Sequence, residues 1–101
     1  MNVYIQRASA ILSKIDQLAS ISETTTGITR TFGSPSFLEG SRLIRQWMEA
    51  LGLQTRVDTI GSVRGRWASP TKEARTFVIA SHMDTVVNAG KFDGPLGIIM
   101  G

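Results

Sequence analysis

The sequence of 101 residues contains no cysteine, only one histidine and only three prolines. Without cysteine the chain has no thiol nucleophile, disulfide, zinc ribbon or iron–sulfur site, and its redox compartment stays open. Any imidazole chemistry must use His82, because it is the only histidine. Candidate chemistry is therefore sought around this residue and the carboxylates.

Long hydrophobic runs are also missing. The longest unbroken apolar stretches, such as Phe77 to Ala80, fall far short of the roughly 20 residues that span a bilayer. The first twenty residues include Arg7, Lys14 and Asp16 and lack the apolar run and cleavage site of a secretory signal. We therefore expect a cytoplasmic protein with no membrane partner.

The charge is nearly balanced, with 11 Lys and Arg against 8 Asp and Glu, and the basic residues are dispersed. A net charge of +3 permits weak polyanion binding without arguing for it, so we expect no nucleic-acid partner. The least favoured alternative is a small nucleic-acid binder that uses Arg56, Arg64, Arg66 and Arg75. An apolar content of 42% is typical of a globular protein. A length of 101 residues suffices for one domain at most.

The first half of the sequence predicts two helices separated by a loop. Apolar residues at helical spacing predict an amphipathic helix over residues 3–21, and the Ser-, Thr- and Gly-rich stretch 22–33 indicates a loop. The second helix begins either at an N-cap Ser34 followed by Pro35, or at a capping box of Ser36 and Glu39. Gly52 is suited to the left-handed residue that ends it.

Strand patterns follow from residue 53. Residues 53–59 alternate in polarity, Gly61 and Ser62 suit a tight turn, and residues 63–67 supply a hairpin partner. After a loop at 69–74, the compact apolar run 76–81 predicts a central strand buried on both faces. Trp47 and Trp67 are expected in the core, and Arg64 with Arg66 on a solvated strand face. This order of elements, with a last helix, indicates an α/β or α+β layer structure.

The single histidine follows the predicted central strand, two positions before Asp84. In an extended chain residues i and i+2 face the same side, so Asp84 can accept the N–H of one imidazole nitrogen of His82 and leave the other nitrogen for a metal. A glycine-containing loop then leads to Asp93 and can bring a second carboxylate to the end of the strand, where ligands bind in open α/β sheets.

Each of these residues also has a purely structural interpretation. A lone His-x-Asp is more often a hydrogen-bonded pair than a metal site. Asp93, which precedes Gly94 and Pro95, is equally suited to capping a last helix through Ile98 and Met100. These alternatives remain open at the level of the residues alone.

The longer string FVIASHMDTVVNAGKFDGPLGIIMG, from Phe77 to Gly101, resembles the metal-site segment of the acetylornithine deacetylase, succinyl-diaminopimelate desuccinylase and carboxypeptidase family. The resemblance points to the branch of N-carbamoyl-L-amino-acid hydrolases, β-ureidopropionase-type enzymes and allantoate amidohydrolases. Similar segments occur upstream at residues 27–30, 47–53 and 58–66. Ser62, Ala89 and Pro95 depart from the branch's usual residues, at turn positions rather than at ligands.

By this resemblance His82 would bind one metal ion, Asp93 would bridge two, and Asp84 would be the catalytic-site residue that orients His82. The implied cofactors are two divalent ions, zinc, manganese or cobalt, which activate water for hydrolysis of an amide or ureido C–N bond. The implied substrate is a small N-carbamoyl amino acid or an allantoate-like ureide. The implied fold is the amino-terminal part of a three-layer α/β/α metallohydrolase domain, and a complete member is expected to be a homodimer.

A dinuclear centre needs more protein ligands than these residues provide. We therefore expect residues 1–101 to be an incomplete amino-terminal portion of the catalytic domain, inactive alone, with further ligands encoded after Gly101. The alternative is a non-catalytic remnant or interaction module that shares the start of the fold.

Overall fold

A computed structural model of the chain describes residues 2–101. Its elements are, in order, α1 (Val3–Ala19), α2 (Pro35–Ala50), β1 (Gln54–Val57), β2 (Val63–Arg66) and α3 (Pro95–Met100). The segment between β2 and α3 is extended or turning and carries the candidate site residues. The arrangement is a small α/β structure.

Both long helices begin and end close to the predicted positions. α1 ends at Ala19, two residues earlier than the pattern predicts. α2 confirms the first of the two alternative starts, since the Ser34 side chain accepts the backbone N–H of Phe37 at 3.1 Å. Gly52 has φ +84°, as predicted for the residue that ends this helix. In the described part of the chain no helix is long and apolar enough to cross a membrane.

The predicted hairpin is confirmed with shorter strands. β1 and β2 pair antiparallel, with Gln54 opposite Arg66 and Val57 opposite Val63. The hairpin lies on α2 at Gly65, where an added Cβ would stand 2.8 Å from the Met48 sulfur. Arg64 and Arg66 are exposed as predicted.

A small core joins the helices to the site segment. Leu18 of α1, Phe37 and Ile44 of α2, and Met83 form one buried cluster, and Trp47 packs against it as predicted. Met83 lies between His82 and Asp84 in the sequence, so its burial fixes the backbone of both candidate site residues to the core.

The predicted central strand over residues 76–81 is wrong. This segment has no regular strand assignment, and Phe77 and Val78 are 87% and 75% exposed. A continuous apolar run indicates burial on both faces only when neighbouring strands exist. Within residues 2–101 the one sheet is the β1–β2 hairpin, which lies on α2 and does not pair with this segment.

The prediction of a buried Trp67 is also wrong, because its side chain is 86% exposed. β2 ends at Arg66, one residue before it. The extended strand, in which alternate residues share a face, therefore ends before Trp67, so Trp67 does not share the face of Val63.

Candidate functional site

Two segments that are far apart in the sequence, residues 28–30 and 85–89, pair with each other next to the candidate site residues. Ile28 and Ala89 form an antiparallel bridge, with N–H to carbonyl distances of 3.2 and 2.7 Å. Two residues after Ile28 and four residues before Ala89, the Thr85 N–H donates to the Arg30 carbonyl at 2.9 Å. This pairing holds the loop that connects His82 to Asp93 against residues 28–30, in the connection between α1 and α2.

His82 lies between two carboxylates at the edge of that loop. Its Nδ1 is 3.4 Å from Oδ1 of Asp84, and its Nε2 is 3.5 Å from Oδ1 of Asp93. The structure therefore brings all three predicted site residues together, although Asp93 is eleven positions from His82 in the sequence.

Asp84 contacts His82 mainly through its backbone. The Asp84 carbonyl oxygen is 3.0 Å from His82 Nδ1, closer than the Asp84 carboxylate. A carbonyl only accepts, so this hydrogen bond requires the proton on Nδ1. With the ring neutral, Nε2 then carries the lone pair, and it is the nitrogen that faces Asp93.

The structure does not show Asp93 as a helix cap. The N-cap of α3 is Gly94, with no side-chain capping hydrogen bond, and the Asp93 side chain is 89% exposed. The carboxylate points toward His82 and solvent. Of the two interpretations of Asp93 from sequence, the geometry favours the one that places it with His82.

Gly94 allows the close approach of α3 to the histidine. Its φ is +97°, and a Cβ at this position would lie 2.8 Å from Nδ1 and Cε1 of His82. The adjacent Ser81 hydroxyl donates to the Gly94 carbonyl at 2.8 Å. The same Cβ would lie even closer to the His82 carbonyl oxygen, so a side chain at residue 94 would have to displace the His82 backbone as well as the imidazole.

The site opens into a cavity of about 140 Å³ lined by His82, Asp84, Thr85, Val86, Ala89 and Asp93. The side chains of His82 and Asp84 are about half exposed. The lining combines polar side chains with the small apolar side chains of Val86 and Ala89. A small polar molecule or an ion can reach the imidazole directly.

The spacing of His82 and Asp93 fits two ligands of one metal ion. Ligands bound at about 2.0 to 2.1 Å in tetrahedral geometry are separated by about 3.4 Å, and His82 Nε2 is 3.5 Å from Asp93 Oδ1. An imidazole nitrogen with a carboxylate oxygen suits zinc or manganese. In residues 2–101 no group of three or more His, Asp or Glu side chains forms a complete metal-binding cluster.

Sequence reasoning missed Arg30, Thr85 and Gly94. Arg30 is 1% exposed, and burial lowers the pKa of its guanidinium while the charge of Asp84 raises it. The Thr85 hydroxyl accepts the Arg30 N–H at 2.8 Å. The contacts of Arg30 with Met83 and Thr85 cross more than fifty residues, and the sequence signalled these three residues only through the family-like segments at 27–30 and 77–101.

Comparison with known proteins finds relatives over most of the chain. It is 44% identical over 88 residues to an allantoate deiminase of Arabidopsis thaliana and 32% identical over 92 residues to an allantoate amidohydrolase of Bacillus subtilis. It is 36% identical over 88 residues to an N-carbamoyl-L-amino-acid amidohydrolase of a Pseudomonas strain. These alignments cover 87%, 90% and 86% of the chain.

The same alignments cover 17%, 22% and 21% of those relatives, so the chain spans about a fifth of their length. No protein-family model and no solved structure matches the chain. The relationship therefore comes from sequence similarity to these named hydrolases, which agrees with the resemblance found from the motifs.

Proposed function

Because the chain belongs to the sequence branch of allantoate deiminases, allantoate amidohydrolases and N-carbamoyl-L-amino-acid amidohydrolases, we propose that it supplies part of the metal centre of such an amidohydrolase. The reaction is hydrolysis of an amide or ureido C–N bond in a small N-carbamoyl amino acid or an allantoate-like ureide. The observation that carries the proposal is the 3.5 Å separation of His82 Nε2 and Asp93 Oδ1.

In this proposal His82 and Asp93 hold the metal and Asp84 orients His82. The Asp84 backbone fixes the proton on Nδ1, which keeps the Nε2 lone pair directed at the position next to Asp93. Asp93 has two carboxylate oxygens, so it suits a position between two ions. Zinc or manganese bound here would polarise the substrate carbonyl and lower the pKa of a coordinated water toward neutrality.

The centre needs ligands in addition to His82 and Asp93, because a catalytic ion takes about three protein ligands. We therefore assign the activity to an assembled enzyme in which residues 1–101 form an amino-terminal part of a three-layer α/β/α domain. Zinc, manganese or cobalt as a pair of ions, a cytoplasmic location and a homodimeric assembly are parts of the same proposal.

A chimera tests the function. The aligned 88-residue segment of the Arabidopsis allantoate deiminase is replaced by the matching residues of this chain, and hydrolysis of allantoate and of N-carbamoyl amino acids is measured with zinc or manganese. We expect activity on at least one of these substrates. His82→Ala and Asp93→Asn in the chimera should each lower kcat/KM by at least a hundredfold, because the first removes a metal ligand and the second removes the negative charge of another.

The matched control is Lys91→Gln, which changes a charge two residues from Asp93 while leaving both candidate ligands in place. Lys91 pairs with Asp16 on α1 at 2.7 Å rather than with the site. A folded chimera that hydrolyses none of these substrates would favour the non-catalytic alternative. Activity that survives both ligand substitutions would contradict the proposed metal centre.

A further inference from the structure

The largest fully buried side chain in the described part of the molecule is a charged one, Arg30. Its Nε donates to the Met83 carbonyl at 2.9 Å, and one terminal nitrogen donates to the carbonyls of Leu18 and Ile21 at 2.9 and 2.8 Å. A buried guanidinium is costly to desolvate, and it persists when its donors are satisfied. These three hydrogen bonds supply that compensation.

The carbonyl partners of Arg30 belong to two separate parts of the fold. Leu18 lies in the last turn of α1 and Ile21 follows the helix, and a positive charge is favourable at this end of a helix. Met83 stands between His82 and Asp84. One planar group therefore connects the end of α1 to the backbone that carries the candidate ligand.

α2 is shaped to admit this side chain. A Cβ at Gly40 would lie 3.3 Å from both the Arg30 Cδ and the Leu18 Cδ1, so the absence of a side chain there leaves room for the guanidinium stem. The Arg30 backbone is also engaged: its N–H donates to the Thr85 hydroxyl and its carbonyl accepts the Thr85 N–H. Arg30 thus contacts the residues on both sides of Asp84.

We infer that Arg30 is a positioning residue for the metal centre, which fixes the His82–Asp84 backbone relative to α1 and α2 so that His82 Nε2 faces Asp93. It touches neither ligand side chain and acts through the Met83 carbonyl and Thr85. Since the ligand it positions is part of the proposed metal centre, the inference rests on the proposed function.

The test uses Arg30→Lys in the 101-residue chain, because lysine keeps the charge but lacks the fork that reaches α1 and Met83 together. The matched control is Arg7→Lys on the exposed side of α1. Two quantities are measured by NMR: amide hydrogen exchange at Thr85 and Ala89 without metal, and the Zn²⁺ dissociation constant followed at the His82 ring. We expect at least tenfold faster exchange and about tenfold weaker Zn²⁺ binding, with Arg7→Lys unchanged.

A positioning role is separated from a purely structural one by repeating the substitution in the His82→Ala background. There the effect of Arg30→Lys on residual Zn²⁺ binding should disappear, because no imidazole remains to be positioned. Equal losses of Zn²⁺ affinity in both backgrounds would show a structural role only. Unchanged exchange and affinity in folded Arg30→Lys would overturn the inference.

A second variant keeps the inference testable if Arg30→Lys does not fold. Thr85→Val removes the hydroxyl that accepts the Arg30 N–H and leaves the guanidinium intact, and Thr85→Ser restores it. We expect weaker Zn²⁺ binding in Thr85→Val and recovery in Thr85→Ser; wild-type behaviour of Thr85→Val would contradict the inference. If the 101-residue chain shows no His82-dependent Zn²⁺ binding, the affinity is measured in the chimera with the Arabidopsis enzyme, where its absence would contradict the proposed metal centre. Amide exchange reports separately whether Arg30 fixes the loop.

Discussion

At the scale of single residues, Gly94 determines where the His82 ring can lie. We expect Gly94→Ala to weaken Zn²⁺ binding about tenfold or more, because the added Cβ meets both the carbonyl oxygen and the imidazole of His82, and the positive φ strains an alanine. Isothermal titration with Zn²⁺ measures the affinity, and urea denaturation measures the accompanying loss of stability, about 1 kcal/mol or more.

Gly90→Ala is the matched control for Gly94→Ala. Gly90 lies in the same loop, and a Cβ there meets nothing within 4 Å. If Gly94→Ala and Gly90→Ala bind Zn²⁺ equally well, contact of residue 94 with the imidazole does not control the site.

Only some of the contacts of His82 could be predicted from the sequence. Asp84 was placed beside His82 because neighbours at i and i+2 share a face of an extended chain. The sequence could not show that the Asp84 backbone carbonyl, rather than the carboxylate, is the nearer acceptor of the imidazole N–H. The contact of Gly94 with His82 depends on how α3 docks, which a local pattern does not contain.

At the scale of elements, the turn of the hairpin depends on Asp58. Its carboxylate accepts the N–H groups of Ser62 and Ile60 at 2.9 and 3.1 Å and pairs with Arg64. The pKa of Asp58 is lowered, and the hydrogen bond from the Ser62 N–H is the main cause. Partial burial acts in the opposite direction, and the Ile60 N–H and Arg64 lower the pKa further. The charged form therefore stabilises the hairpin.

The sign of this pKa shift predicts how stability varies with pH. A lowered folded-state pKa stabilises the fold above the ordinary aspartate pKa of about 4, and this contribution is lost as pH falls through the folded value. We expect Asp58→Asn to lower the urea midpoint at pH 7 and to differ less from wild type as pH falls below about 4. Glu73→Gln, in an exposed loop, controls for the loss of one charge; a pH-independent effect of Asp58→Asn would contradict the assignment.

Secondary-structure features that depend on neighbouring residues were predictable from the sequence, whereas those that depend on distant residues were not. α2 begins at Ser34 and is followed by Gly52 as predicted, because capping chemistry involves neighbouring residues. The hairpin was predictable for the same reason. Residues 76–81 were predicted wrongly because burial of an apolar strand depends on partners that its own residues do not specify.

At the scale of the whole molecule, the described chain is flat and open. Its dimensions are 47 × 43 × 18 Å and its radius of gyration is 14.8 Å, against about 13 Å for a compact chain of this length. Its accessible surface of 7530 Å² exceeds the roughly 5600 Å² usual for a monomer of this mass. The exposed side chains include the neighbouring apolar ones of Phe77, Val78 and Ile79.

An extended apolar segment with unpaired backbone groups favours association. We expect the 101-residue chain to self-associate with rising concentration in sedimentation velocity, and Phe77→Ser with Val78→Thr to increase the monomer fraction severalfold. The control is Ile60→Ser, since Ile60 is 71% exposed but lies alone at the hairpin turn. Association reduced equally by the control would assign it to general hydrophobicity, whereas a chain that stays monomeric at all concentrations would show that residues 77–79 do not provide an association surface.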